Sequence, residues 1–398
     1  MLEATLGERT KDLLRASGRS DVPPFMVMDV MAAAARIEAE GGHVIHMEVG
    51  QPAAAAPKTA ILAAHAALGG GRIDYTSALG IPSLRERISR HYREAYGLVV
   101  DAGQIVITTG SSGAFILSFL AMFEPGDRVA VTVPGYPPYR HILTALGCEP
   151  VLIETSAENR HALTGEALLA AHRKTPLKGV LVGSPANPTG TMMSREALTG
   201  LISAAENAGI RFISDEIYHG LDYAFPAVTA AELSPHALII NSFSKYFCMT
   251  GWRVGWMVVP EPMVRPIERL QQNLAISVPT LSQIAAEAAF EGREEMEAVK
   301  RGYLENRRIL IEGLPRAGLT KFLPVDGAFY LYADVSDFTS DSFKFAGEML
   351  EKAHVAATPG VDFDPIGGHR FVRFSYARSA EEMSEAVERI TRWLVSRL

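Results

Sequence analysis

The chain has 398 residues, more than a single hydrophobic core usually organises, so two domains are expected. Its 48% hydrophobic and 21% charged residues are those of an ordinary soluble globular protein, and a net charge of −7 with a pI near 5.9 leaves no electrostatic footprint for nucleic acid. The two cysteines, Cys148 and Cys248, form no C-x-x-C, which excludes a cysteine zinc cluster, argues against a disulfide framework and implies a reducing, cytoplasmic setting.

Residues 1–26 mix charges of both signs around no apolar core, so no signal peptide is expected there. No later run is long and apolar enough to suggest a membrane span. A helix is predicted over residues 29–40, including the alanine-rich 31–37 bounded by charges. A short apolar run, 43–49, ends at Gly50-Gln51-Pro52. From about Lys58 helices and short apolar strands alternate. Strands are predicted over 105–109, 129–133, 151–154, 179–182, 211–214, 238–242 and 254–258. Amphipathic stretches of helical length, such as 84–96 and 195–208, lie between them. This alternation implies an α/β domain whose mainly parallel seven-stranded sheet is covered by helices. Function then belongs at the carboxyl ends of the strands. After about Pro279 the rhythm changes. Charged helices over 281–290 and 293–314 precede shorter strands at 328–334 and 371–376, and a last amphipathic helix is predicted over 380–398. These features read as a smaller α+β domain.

Three segments follow strand-like runs and carry reactive side chains. Residues 241–256 read N-S-F-S-K-Y-F-C-M-T-G-W-R-V-G-W. Lys245 sits there between two apolar runs, flanked by Ser242 and Ser244 and followed by Arg253. A buried amine loses basicity and becomes a nucleophile toward a carbonyl. The guanidinium and hydroxyls nearby suit a phosphate. In I-S-D-E-I-Y, Asp215 ends a strand-like run, where a carboxylate can pair with a protonated ring nitrogen, and Tyr218 follows three residues on. In S-P-A-N-P-T-G, residues 184–190, prolines and glycine fix an irregular loop around the Asn187 amide. A fourth segment, I-V-I-T-T-G-S-S-G-A over 105–114, reads as strand, glycine turn and helix start. Such a helix start favours an anion, and Ser111, Ser112 and Gly113 are the residues expected around it. It is neither a Walker loop nor a dinucleotide fingerprint.

In order and spacing, N-P-T-G, D-E-x-Y, S-x-S-K and G-W-R-x-G resemble fold-type I pyridoxal-phosphate enzymes, specifically the class I/II aminotransferases of the aspartate aminotransferase superfamily. The resemblance covers nearly the whole chain. It implies pyridoxal 5′-phosphate as cofactor, with Lys245 as its Schiff-base lysine. It implies Asp215 at the ring nitrogen, Asn187 and Tyr218 as donors to the ring 3′-oxygen, and Arg253 and Ser242 at the phosphate. Tyr136, in P-G-Y-P-P-Y, matches the residue that stacks on the ring. Arg373, in F-V-R-F-S-Y, matches the arginine that takes the substrate α-carboxylate, with Gly50 and Asn187 also on the substrate side. Tyr75, in I-D-Y-T-S-A-L-G, matches a tyrosine that reaches the phosphate of the partner subunit, so a homodimer is implied. The small domain is expected to be discontinuous, with 1–50 packing on 281–398 and 51–280 forming the large cofactor-binding domain.

The implied reaction is transfer of an amino group between an L-amino acid and a 2-oxo acid. A C–S β-lyase or an aminocyclopropane-carboxylate-synthase-like activity is the alternative on the same fold. The loop S-P-A-N-P-T-G-T-M-M lacks the histidine and aromatic residue of the β-lyase relatives, which favours transamination. A non-catalytic regulator of this fold would need a DNA-binding domain ahead of it, and only about 50 residues precede the large domain. For a second substrate carboxylate, Arg72, Arg140 and His141 are the candidate cations. The segment Gly50-Gln51-Pro52-Ala53 departs from the family pattern, in which an acidic residue often follows the proline.

Overall fold

The computed structural model describes residues 13–397. Its strands are β1 (Ile45–His46), β2 (Ile105–Thr108), β3 (Arg128–Val133), β4 (Glu149–Glu154), β5 (Gly179–Gly183), β6 (Arg211–Asp215), β7 (Leu238–Ser242), β8 (Gly255–Val258), β9 (Tyr330–Asp334), β10 (Val355–Ala356), β11 (Thr358–Pro359) and β12 (Phe371–Ser375). The seven strands β2 to β8 form one sheet in the order β2-β8-β7-β6-β5-β3-β4. β3 to β7 pair in parallel, while β8 lies antiparallel between β2 and β7. All seven strands expected from the hydrophobic pattern are present.

Side chains alternate between two cores, as a two-residue period requires. Val180, Phe212, Ile239 and Trp256 enter one core, which helices Pro82–Tyr96 and Arg195–Asn207 cover with Leu84, Ile88, Leu198 and Leu201. Their neighbours Leu181, Ile213, Ile240 and Met257 enter the other, where Phe115 and Phe119 of helix Gly110–Met122 pack. Every residue of β2, β7 and β8 is buried, so these strands are mainly apolar, with the polar Thr108, Asn241 and Ser242 at the ends of β2 and β7.

A second sheet, β11-β12-β9, is antiparallel. Phe345 and Met349 from helix Ser342–Ala353 and Ile390 and Trp393 from helix Ala380–Val395 pack beside it. The chain's first described helix returns to this region: β1 pairs in parallel with β10, and Ala34 packs against Val44, Leu350 and Ala356. No helix among the described residues is long and apolar enough to cross a membrane.

Several predicted bounds shift for local reasons. The run 43–49 yields only Ile45–His46, because β10 offers two partner residues. The first helix begins at Met26 and the last ends at Val395. β2 stops at Thr108, since Thr109 caps the next helix and Gly110 turns left-handed at φ +66°. β8 starts at Gly255, one residue late, because Arg253 before it also has positive φ.

Candidate active site

β2, β5, β6 and β7 end at the same edge of the sheet, and β8, running the other way, begins there. Side chains from these ends border a cavity of about 540 Å³, together with Arg373 and Tyr330 from the small sheet and Phe25, Val27 and Met28 from the N-terminal helix region.

One corner suits a phosphate. The Gly110–Met122 helix starts with no side-chain cap and no acidic residue in its first turn. The N–H groups of Gly110, Ser111 and Ser112 therefore face outward with the positive end of the helix dipole. Arg253 sits over this turn. A Cβ on Gly110 would lie 2.6 Å from its guanidinium, so the glycine permits the approach. Arg253 Nη1 donates to the Thr250 carbonyl at 2.9 Å. Ser111 and Ser112 border the cavity. Gly113 does not; as the fourth helical residue its N–H turns back to the capping residue. Ser242 does not border this cavity either. It is 1% exposed, its hydroxyl donates to the Val254 carbonyl at 3.2 Å and lies 2.9 Å from Ser244 Oγ, and Ser244 is the serine that borders the cavity.

The opposite wall suits a ring. Asp215, the last residue of β6, is 4% exposed. Its Oδ1 accepts from the Ile217 N–H at 3.1 Å and its Oδ2 from the Tyr139 hydroxyl. Burial pushes its carboxyl up to about 7, against these hydrogen bonds. A cation placed beside it, such as a protonated ring nitrogen, would hold it ionised. Tyr136 borders the same space, edge-on to Tyr139 at 5.2 Å and to Phe25 at 6.0 Å between centroids. The Asn187 side-chain oxygen accepts from Arg373 Nη1 at 2.8 Å, which leaves its NH2 to donate elsewhere. The Tyr218 hydroxyl lies 2.8 Å from that of Tyr330.

Between the corners stands Lys245. Its Nζ donates to the Gly50 carbonyl at 2.6 Å. Burial lowers its pKa to about 8, helped by Arg373 and Arg253 and opposed by Asp215. An amine so placed gives up its proton far more readily than an ordinary lysine, as a nucleophile or proton carrier requires. Gly50 admits no side chain, because a Cβ would fall 1.8 Å from the Tyr330 hydroxyl.

Arg373, in the middle of β12, is 2% exposed. Its planar group lies between the rings of Tyr330 and Phe363, at 4.4 and 4.6 Å. Nη2 bonds the Glu48 carbonyl and Thr358 Oγ1, while the buried Nε has no partner. The arrangement is a cation held rigid for a carboxylate.

Tyr75 is not brought to this cavity; it is 79% exposed on the same chain. Nor do the candidates for a second carboxylate border it. Arg72 pairs with Asp74 in solvent, Arg140 donates to the Asp362 carbonyl, and His141 lies beyond the lining. Sequence reasoning missed Tyr139, Tyr330 and the N-terminal wall. Tyr139 had a readable signal, since it follows Tyr136 by three residues in the same P-G-Y-P-P-Y segment. The wall had none, because it reaches the cavity from a segment distant in sequence.

Comparison with known proteins agrees with this geometry. Residues 42–390 match the family model for aminotransferase class I and II. The chain is 47% identical to a valine–pyruvate aminotransferase of Mycobacterium tuberculosis, over 96% of this chain and 99% of that one. An aminotransferase structure from Mycobacterium tuberculosis superposes with a TM-score of 0.93 at 47% identity, covering 96% and 99% of the two chains. Aspartate aminotransferase from Thermus thermophilus, solved with maleate, superposes with a TM-score of 0.89 at 32% identity, covering 95% and 99%. The chain belongs to the class I and II aminotransferases, pyridoxal-phosphate-dependent enzymes of fold type I that move amino groups between amino acids and 2-oxo acids.

Proposed function

We propose that this enzyme takes its amino group from an apolar L-amino acid and passes it to a small 2-oxo acid, with Lys245 as the catalytic lysine. The observation that carries the donor class is the cavity wall formed by Phe25, Val27, Met28, Val49 and Ile217. The 47%-identical relative is a valine–pyruvate aminotransferase, which supports the same class.

The donor set fits the cofactor at each end. Ser111, Ser112, Ser244, Arg253 and the free helix N–H groups would hold the phosphate. Asp215 would hold the ring nitrogen, Tyr136 the ring face, Asn187 and Tyr218 the 3′-oxygen, and Lys245 the aldehyde carbon. When bound, pyridoxal phosphate supplies the carbonyl that captures the amino group and the ring that draws electrons from the α-carbon. Arg373 fixes the substrate α-carboxylate and so aims the Cα–H bond at Lys245. The Lys245 amine, whose pKa is lowered to about 8, takes the α-proton and returns it. Asp215 keeps a negative charge against the ring nitrogen, and Tyr139 and Ile217 orient its two oxygens.

The unit is a cytoplasmic homodimer in this reading, with Tyr75 completing the phosphate site of the partner. Support comes from Ile61, Leu62, Leu68, Ile73, Tyr75, Leu274 and Ile276, which are large apolar side chains exposed on the single chain. The division is a large domain, 51–280, and a small one built from 1–50 and 281–398. A second reading is a dicarboxylate donor. Arg72 favours it, being 85% exposed three residues before Tyr75, where it would accompany that tyrosine into the partner's site.

A panel of amino donors against pyruvate and 2-oxoglutarate tests the choice. Valine, leucine and alanine should exceed aspartate and glutamate in kcat/KM. Preference for aspartate or glutamate, lost on Arg72→Ala, would replace the first reading by the second.

A further inference from the structure

The turn after β6 faces two ways. Asp215 and Tyr218 reach the cavity, whereas Glu216 and His219 are buried behind it. His219 is 7% exposed, yet both ring nitrogens are occupied. Nε2 lies 3.0 Å from the Ser184 carbonyl oxygen and Nδ1 lies 2.8 Å from the Tyr96 hydroxyl. A carbonyl only accepts, so Nε2 carries a hydrogen. With the hydrogen on Nε2, Nδ1 can accept from Tyr96, and Glu216 Oε2 lies 3.6 Å from that nitrogen.

Each contact reaches a different element. Tyr96 ends the Pro82–Tyr96 helix on the flank of the sheet. Ser184 opens the loop that carries Asn187, and its own N–H donates to the Asp215 carbonyl at 3.2 Å. Glu216 also ties the turn down, because its Oε1 accepts from Ser214 Oγ at 3.0 Å and from the Ala230 N–H at 2.8 Å. The Asn187 loop is anchored at its far end, where the Gly190 carbonyl accepts from the Asp326 and Gly327 N–H groups at 2.8 and 2.9 Å, and at its root Ser184 Oγ accepts from the Met193 N–H at 3.0 Å. Its root carbonyl is satisfied by His219, and a buried carbonyl that loses its donor reorients to find another.

We propose that His219 is a positioning residue for the transfer reaction: its Nε2 hydrogen bond to Ser184 sets Asn187 level with Tyr218. The inference rests on the assignment of those two side chains to the cofactor's 3′-oxygen. Asn187 also accepts from Arg373, so the same bond steadies the carboxylate-binding arginine.

Three substitutions separate the contacts. His219→Gln keeps an amide donor where Nε2 stands. His219→Asn keeps a polar group near Nδ1 but falls short of Ser184. His219→Leu keeps bulk alone. The readout is the pH midpoint of the bound cofactor's absorbance, which reports the hydrogen bonding of the 3′-oxygen. An oxygen relieved of its donors holds a proton more firmly, so the midpoint moves up.

His219→Gln should titrate like the unaltered enzyme. His219→Asn and His219→Leu should shift upward by about half a unit to one unit, the equivalent of one weakened hydrogen bond. Cofactor affinity, governed by the phosphate corner, should be unchanged in all three. Should the leucine variant fail to fold, the Gln and Asn pair carries the comparison. Equal shifts in Gln and Asn, or none in Asn, would overturn the proposal. Asn187→Ala serves as the reference, and a midpoint unmoved by it would overturn the 3′-oxygen assignment itself and the inference with it.

Discussion

Gly110 is the position where backbone geometry and cofactor chemistry are most directly coupled. Gly110→Ala places a methyl group on a residue at φ +66° and 2.6 Å from Arg253 Nη2. The left-handed backbone costs about 1–2 kcal/mol for an L-residue. That strain exists with and without cofactor, so it lowers stability and leaves affinity alone. The steric term acts differently. The guanidinium must withdraw from the helix terminus, and its charge-assisted hold on the phosphate is lost. Such a contact contributes about 1.5–3 kcal/mol, or about 10- to 150-fold in Kd. The assay is absorbance titration of the apoenzyme with pyridoxal 5′-phosphate and, in parallel, with pyridoxal. The phosphorylated form should weaken by that factor while pyridoxal binds as before, and Tm should fall modestly. Equal weakening of both ligands would show that the substitution damages the site generally. An unchanged Kd for pyridoxal phosphate would refute the coupling of Gly110 to Arg253.

Lys245 should carry the pyridoxyl group after borohydride reduction and peptide mapping, and a label on another lysine sinks its assignment. In the apoprotein its labelling by an amine-reactive reagent should rise as pH increases through about 8, since burial and two arginines disfavour the ammonium and only the neutral amine reacts; a midpoint near the ordinary lysine value of about 10.4 refutes that environment. Inactive Lys245→Ala chains mixed with impaired Tyr75→Phe chains should regain activity on subunit exchange, because one site of each hybrid then carries neither lesion. No recovery despite proven exchange removes Tyr75 from the shared site.

The main sheet was legible because its strands are buried on both faces. Runs such as Leu238–Ser242 and Gly255–Val258 leave an apolar pattern that needs no tertiary information. The lysine, aspartate, asparagine and C-terminal arginine were legible for another reason. Each follows or lies in such a strand, and together their spacing matches a known family. The placement of reactive groups at strand ends thus follows from local pattern.

What the sequence could not decide is which atom of a short motif faces the cavity. Ser242 and Ser244 are two residues apart and chemically alike, yet the β7 turn buries the first behind the second. Gly113 and Gly110 are both glycines of one helix start, but only Gly110 meets Arg253, which arrives from the turn before β8, distant in sequence. The apolar wall of Phe25, Val27 and Met28 exists because the N-terminal helix folds back on β10, and no local signal records that return. Tyr139 reaches Asp215 by a contact 76 residues apart in sequence. Local hydrophobic periodicity therefore determined the strands and the order of the reactive groups along the chain. Long-range packing decided which of them meet, because hydrogen bonds and steric approach depend on distances that only the folded chain defines.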